Sequence, residues 1–346
     1  MKRFLIIVLL IFCLPVKAMA IEINPPEAPE SVQEYIDNNS ESFAEGLLFI
    51  LKQVTPQIYP NIAQASRICL SIVGICLILS AVQGLVSQNQ RIITLLGVVS
   101  ICVVLLRSVN AMIHLSSRTV QELSEYGKLL IPVMTAALAA QGASATSAAL
   151  YAGTVFFDSV LSSLTAKILV PGLYVYLCLC IVHKATNNTL LQQMSQGMKW
   201  LITWGLKIIL YLFTGYLSIT GVVSGSTDAS MLKATKIMVS GAVPVVGNII
   251  SDASETILIG AGIMKNAAGI YGMLAIIAVC IGPFLKIGIH YLLLKITSGV
   301  CAMFSDMHIS GIVKDFSVCM GFLLGMVGTV CLLLLVSTVC FMKGVT

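Results

Sequence analysis

The chain has 346 residues, of which 58% are hydrophobic and only 10% charged, and its mean hydropathy is +0.97. A soluble domain carries about 25% charged residues, so this composition lacks the polar surface to coat a soluble globule. The net charge of +5 is modest, and the lysines sit at segment ends without a basic run or an aromatic-interleaved patch, which argues against nucleic acid as a partner. The reading is an all-α, polytopic integral membrane protein with the lipid bilayer as its solvent.

Residues 1–20 read as a signal peptide. Lys2 and Arg3 precede the apolar run Phe4–Leu14, Pro15 breaks it, and Ala18-Met19-Ala20 supplies a small-x-small cleavage pattern. The alternative is an uncleaved first anchor, against which the shortness of the apolar core weighs. In both cases the following chain starts outside the cytoplasm.

Residues 21–66 form the one long polar stretch, expected to be extracytoplasmic. Pro25, Pro26 and Pro29 open it as an extended linker, and Glu27, Glu30, Glu34, Asp37, Glu41 and Glu45 follow. Ser31 with Glu34 and Ser42 with Glu45 match capping boxes. After the second, Phe43, Leu47, Ile50, Leu51 and Val54 share an apolar face. This predicts a short amphipathic helix ending near Pro56, packed on the membrane domain, on the bilayer or on a partner.

Residues 67–346 form the polytopic membrane domain, with about seven to nine membrane segments. Ile68–Val86 and Ile92–Ile113 are the first two spans, followed by a polar connection, His114–Lys128. Leu129–Val182 is rich in small residues, is interrupted by Asp158 and Lys167, and carries Pro171 and Gly172 in its last apolar run. Two or three helices fit there, one of them broken or re-entrant where protein or a cavity covers it. His183–Lys199 is a cytoplasmic connection by its lysine content. Trp200–Val223 is the next span, Ser224–Ser230 a turn, and Phe316–Cys340 the last clear span. An outside N-terminus with an odd number of spans places the short tail, with Lys343, in the cytoplasm.

The chain is organised around Gly241–Ser305. Asn248, Asp252, Glu255, Gly262 and Asn266 fall on one helical stripe, and the apolar second half carries Lys286, His290 and Lys295. Ionisable groups at membrane depth cost roughly 2.5–3.5 kcal/mol each and usually face a protein interior or a cavity. Asp252, Glu255, Lys265, Lys286, His290 and Lys295 are therefore the candidate polar residues. Either they line a solute or proton path, or the carboxylates pair with lysines to fix helix packing. Lys286 and His290 share a face at i, i+4, whereas Lys295 projects elsewhere.

Pro132 and Pro171 lie 39 residues apart, as do Pro244 and Pro283, and a shift of 112 residues superimposes the pairs. These four are candidate helix-break residues. The pattern is either a weak internal repeat, of the kind that brackets sites in transporters, or a coincidence of prolines in apolar sequence.

Chemistry-bearing motifs are absent. Ten cysteines follow the signal, nearly all in apolar spans and without a C-x-x-C pair, and they read as small buried hydrophobes rather than metal or redox groups. The four histidines are isolated, and no H-E-x-x-H, G-x-S-x-G or Walker pattern occurs. No enzyme activity, metal or cofactor is expected, and any ATP consumed in the process must be handled by another subunit.

The stretches GAVPVVGNIISDASETILIGAGIMKNAAGIYG and PFLKIGIHYLLLKITSGVC, with the ending DFSVCMGFLLGMVGTVCLLLLVSTVCFMKGVT, closely resemble the stage III sporulation protein AE family of endospore-forming bacteria. The resemblance is most specific from about Lys236 onward. It implies a multi-pass component of the secretion-like channel complex between mother cell and forespore, needed for late forespore gene expression and located in the mother-cell membrane around the forespore. It also implies partners: the other stage III A proteins, including a secretion-type ATPase, and the forespore-side protein Q. The competing reading from residues alone is a secondary transporter for a small solute, with its site near residues 241–296.

Overall fold

The computed structural model describes residues 26–36, 42–85, 90–140, 144–219 and 267–343. Among them the secondary structure is helix joined by short turns, with no strand. A 3₁₀ turn, Glu30–Tyr35, precedes α1 (Phe43–Leu85), α2 (Gln90–Ala140) and α3 (Ser144–Leu164). A π turn, Thr165–Leu169, joins α3 to α4 (Val170–Thr186), and α5 (Thr189–Ile219), α6 (Ala267–Phe304) and α7 (Met307–Lys343) complete the bundle. With α3 and α4 counted as one rod, six helices are long and apolar enough to cross a membrane.

The helices are longer than the sequence pattern suggests. α1 does not stop at Pro56; it continues through Pro56 and Pro60 to Leu85, so the polar segment ending at residue 66 and the first span share one helix. Its start is capped as expected, with the Glu45 N–H donating to the Ser42 hydroxyl oxygen at 3.3 Å. Ser31 and Glu34 instead fall inside the 3₁₀ turn, which has no side-chain cap. α2 likewise runs through His114–Lys128 without a break. That stretch keeps helical periodicity: Val120, Leu123 and Ser124 are buried while Gln121 and Glu125 are exposed, so its polar residues mark an exposed face rather than a loop.

Of the candidate helix breaks, Pro132 and Pro283 lie inside regular α2 and α6, and Pro244 lies outside the described residues. A proline forfeits one backbone hydrogen bond, which packed membrane helices tolerate. Pro171 does mark an irregularity. It sits at the start of α4 directly after the π turn, where the Val170 N–H reaches back to the Thr165 carbonyl. The rod is bulged there, neither broken nor re-entrant. At the position that the 112-residue shift pairs with this turn, α6 is regular.

One end of the bundle carries the α4–α5 and α6–α7 turns. There Thr94 donates to Asp306 Oδ2 at 3.3 Å, and the α4–α5 turn is closed by Asn187, in the left-handed region at φ 56°, whose N–H donates to the His183 carbonyl at 2.8 Å. The opposite end carries both termini of the described chain. The Ala28 N–H donates to Tyr271 Oη at 3.2 Å, Gly269 packs against Met342, and Tyr216 donates to the Ala149 carbonyl at 2.6 Å. Thus α5 ends, and α6 begins, at the same end. The described N-terminal segment and the end of α7 therefore lie at the same end of the bundle.

α7 is the axis of the bundle: 94% of its most apolar window is buried, against 17% for α1. It packs on α6 and α2 and touches α3, α4 and α5. Its unbroken hydrophobicity thus reflects protein on all sides, not only lipid. Outward-facing apolar residues, among them Leu70, Leu77, Leu96, Val103, Val175 and Leu292, form a belt toward the turn end. α2 has 51 residues, about 76 Å at 1.5 Å rise, against a hydrocarbon core of about 30 Å. The half toward the termini, with exposed Arg118, Gln121 and Glu125 on α2, extends beyond that belt. Nine of the ten cysteines are buried, as small apolar residues would be, but Cys178 is exposed.

A candidate site at a buried carboxylate between two helices

Asp158 is 2% exposed on α3. Its neighbours along the helix, Phe156 and Phe157, pack edge to face with each other, and Phe157 meets Phe213 of α5 edge to face as well. The helix is thereby held so that residue 158 faces α2. There Ser124 donates its hydroxyl to Asp158 Oδ2 at 2.7 Å. Asp158 Oδ1 is buried and has no hydrogen-bond partner among the described residues, and neither does Thr165 Oγ1 in the π turn. A π turn rotates the following residues relative to a regular helix and recurs at functional sites. Beside it, a cavity of about 230 Å³ is lined by Ser117, Gln121, Ser124, Glu125, Lys128, Ser162 and Thr165. Lys128 lines the cavity beside Ser124, which holds the Asp158 carboxylate.

The polar seam continues onto the axial helix. Thr154 Oγ1 donates to Ser337 Oγ at 3.1 Å, and Ser116 donates to the Leu323 carbonyl at 3.3 Å. One carboxylate with a free oxygen, two hydroxyls and an adjoining cavity can hold a proton or a small cation. The same groups can lock α2 to α3. A buried carboxylate leaves a legible trace in sequence, since Asp158 and Lys167 interrupt an apolar run, but only packing shows that Asp158 turns inward while Lys167 is exposed.

The residues expected to carry a path are placed unevenly. Asp252, Glu255 and Lys265 lie outside the described residues. Lys286 and His290 do share a face of α6, and the His290 Nδ1–H donates to the Lys286 carbonyl at 2.9 Å. His290 is 2% exposed and its Nε2 has no partner among the described residues. Lys295 is exposed and sits over the Tyr291 ring, 5.6 Å from its centre, with Nζ 3.5 Å from Tyr291 Oη. No carboxylate pairs with these three among the described residues.

Comparison with known proteins bears on this chain along nearly its whole length. A family model described as stage III sporulation protein AE matches residues 27–344. The stage III sporulation protein AE of Bacillus subtilis (strain 168) is 23% identical over 267 residues, covering 76% of this chain. The chain spans 66%, just under two thirds, of that curated relative's length. No solved structure matches.

Proposed function

The chain belongs to the stage III sporulation protein AE family, and from that premise we propose that it is a multi-pass membrane component of a secretion-like channel complex joining mother cell and forespore. In this reading the protein serves late forespore gene expression from the mother-cell membrane around the forespore. The family match over residues 27–344 carries it. Its partners are the other stage III A proteins, with a secretion-type ATPase supplying energy, and the forespore-side protein Q. This subunit itself performs no catalysis.

The topology that fits begins with a signal peptide at 1–20 and an extracytoplasmic N-terminal segment. The six described helices long enough to cross a membrane are fewer than the seven to nine segments expected, and residues 220–266 lie outside the described residues. The turn end, with Lys184 and Lys199, then faces the cytoplasm.

A late-forespore reporter in sporulating cells lacking this protein tests the proposal. Loss of reporter activity, restored by the wild-type chain, is expected. Normal activity in the deletion strain would remove the protein from this pathway. One observation favours a second reading, secondary transport of a small solute: Asp158 Oδ1, without a partner among the described residues, next to Ser124 in the wall of a cavity. Asp158→Asn that restores full reporter activity at normal membrane levels would sink that alternative.

A further inference from the structure

A second polar cavity, of about 250 Å³, lies at the turn end between α4, α5 and α7. Lys184, Lys199 and Lys314 line it, one from each helix, with Asp315 and the polar side chains of Gln192 and Gln196. Asp315 and His183 line the same cavity as the three lysines. His183 is buried, and its Nδ1–H is engaged with the Asn188 carbonyl at 2.9 Å. Three lysines against one carboxylate leave an excess of two positive charges.

Lysines near the ends of membrane helices ordinarily extend along the helix toward the headgroups. Lys184 does not. Its ammonium crosses to α7 and occupies the space over Gly311, where an added Cβ would lie 2.6 Å from Nζ. The glycine is thus the gap that lets the cation reach the cavity. Gathering three ammonium groups costs Coulomb energy, and one carboxylate offsets only part of it. The remaining charge fits an anion with several acceptor oxygens, and basic pockets between membrane helices on the cytoplasmic side suit phosphate headgroups.

We propose that the cavity formed by Lys184, Lys199 and Lys314 around Gly311 is a binding site for a phosphate group, carried by an anionic phospholipid or free in solution. Asp315 balances the third lysine and holds the cluster together while the site is empty.

The test uses the full chain purified in neutral detergent and reconstituted in bilayer discs of phosphatidylcholine with or without phosphatidylglycerol. Native mass spectrometry counts retained lipid, and thermal melting with inorganic phosphate tests the free anion. Retention of phosphatidylglycerol over phosphatidylcholine, reduced at least tenfold in Lys184→Gln/Lys199→Gln/Lys314→Gln but unchanged in Lys52→Gln at the other end, supports the site with a lipid headgroup as its source. Stabilisation by millimolar phosphate without lipid preference, lost in the same triple variant, supports it with free phosphate as the source. Equal behaviour of wild type and triple variant with both probes overturns it. Because the triple variant removes three charges from packed helices, Asp315→Asn provides a second test. It frees the third lysine and should tighten anion binding several-fold, and unchanged or weaker binding in that variant also overturns the proposal.

Discussion

Ser124 and Asp158 are joined by a 2.7 Å hydrogen bond across the seam between α2 and α3, with the second carboxylate oxygen left bare among the described residues. Removing one partner of a buried pair exposes the full desolvation cost of the other, about 1–3 kcal/mol. Ser124→Ala should therefore lower thermal stability in detergent by that amount. Asp158→Ala should do the same by orphaning Ser124. In the double variant the costs should be less than additive, and strict additivity in melting experiments would show that the bond contributes nothing.

His290 poses the opposite case. Its Nε2 is already buried without a partner among the described residues, so a leucine of similar size removes an unfavourable group. His290→Leu is expected to leave the melting temperature unchanged or raised. A marked loss of stability would show that Nε2 is not an unfavourable group in the folded protein.

Close helix contacts depend on glycine at particular points. A Cβ at Gly127 of α2 would lie 2.7 Å from Leu334 Cδ2 on α7. Gly127→Leu should cost about 1–3 kcal/mol by overpacking the axial helix. Gly74 of α1 has nothing within 4 Å of the same position, so Gly74→Ala should be neutral or gain up to about 1 kcal/mol from helix propensity. Thermal melts of the two variants should thus move differently, and equal destabilisation would contradict the packing of α2 on α7.

The shared side of the termini is open to labelling. Glu30 and Asn187 are exposed at opposite ends of the bundle. Single cysteines at these positions should react with a membrane-impermeant maleimide from opposite sides. A reporter fused after Lys343 should fall on the side of Glu30. A reporter on the side of Asn187 would contradict the placement of Ala28 and Met342 at one end of the bundle.

Much of the site was hidden for a physical reason. Asp158 was visible as a charge in an apolar run, yet its direction depends on α2 being there to receive it. The lysine cavity was still less legible. Lys184, Lys199 and Lys314 lie far apart in sequence, and each reads alone as an end-of-helix cation. Gly311 gives no signal until α4 is packed against it.

By itself the sequence determined the class of the protein, because 58% hydrophobic and 10% charged residues leave no soluble solution for this chain. It also determined most of the apolar segments and the family, since local composition and motif need no partner to be read. Tertiary structure decided where helices end, which of them lies on the axis, and which polar residues face one another. Proline and charge signals mark only local cost. Whether a helix runs through Pro56 or His114–Lys128, and whether Asp158 turns inward, depends on neighbours that offset that cost, and those neighbours are contributed by distant parts of the chain.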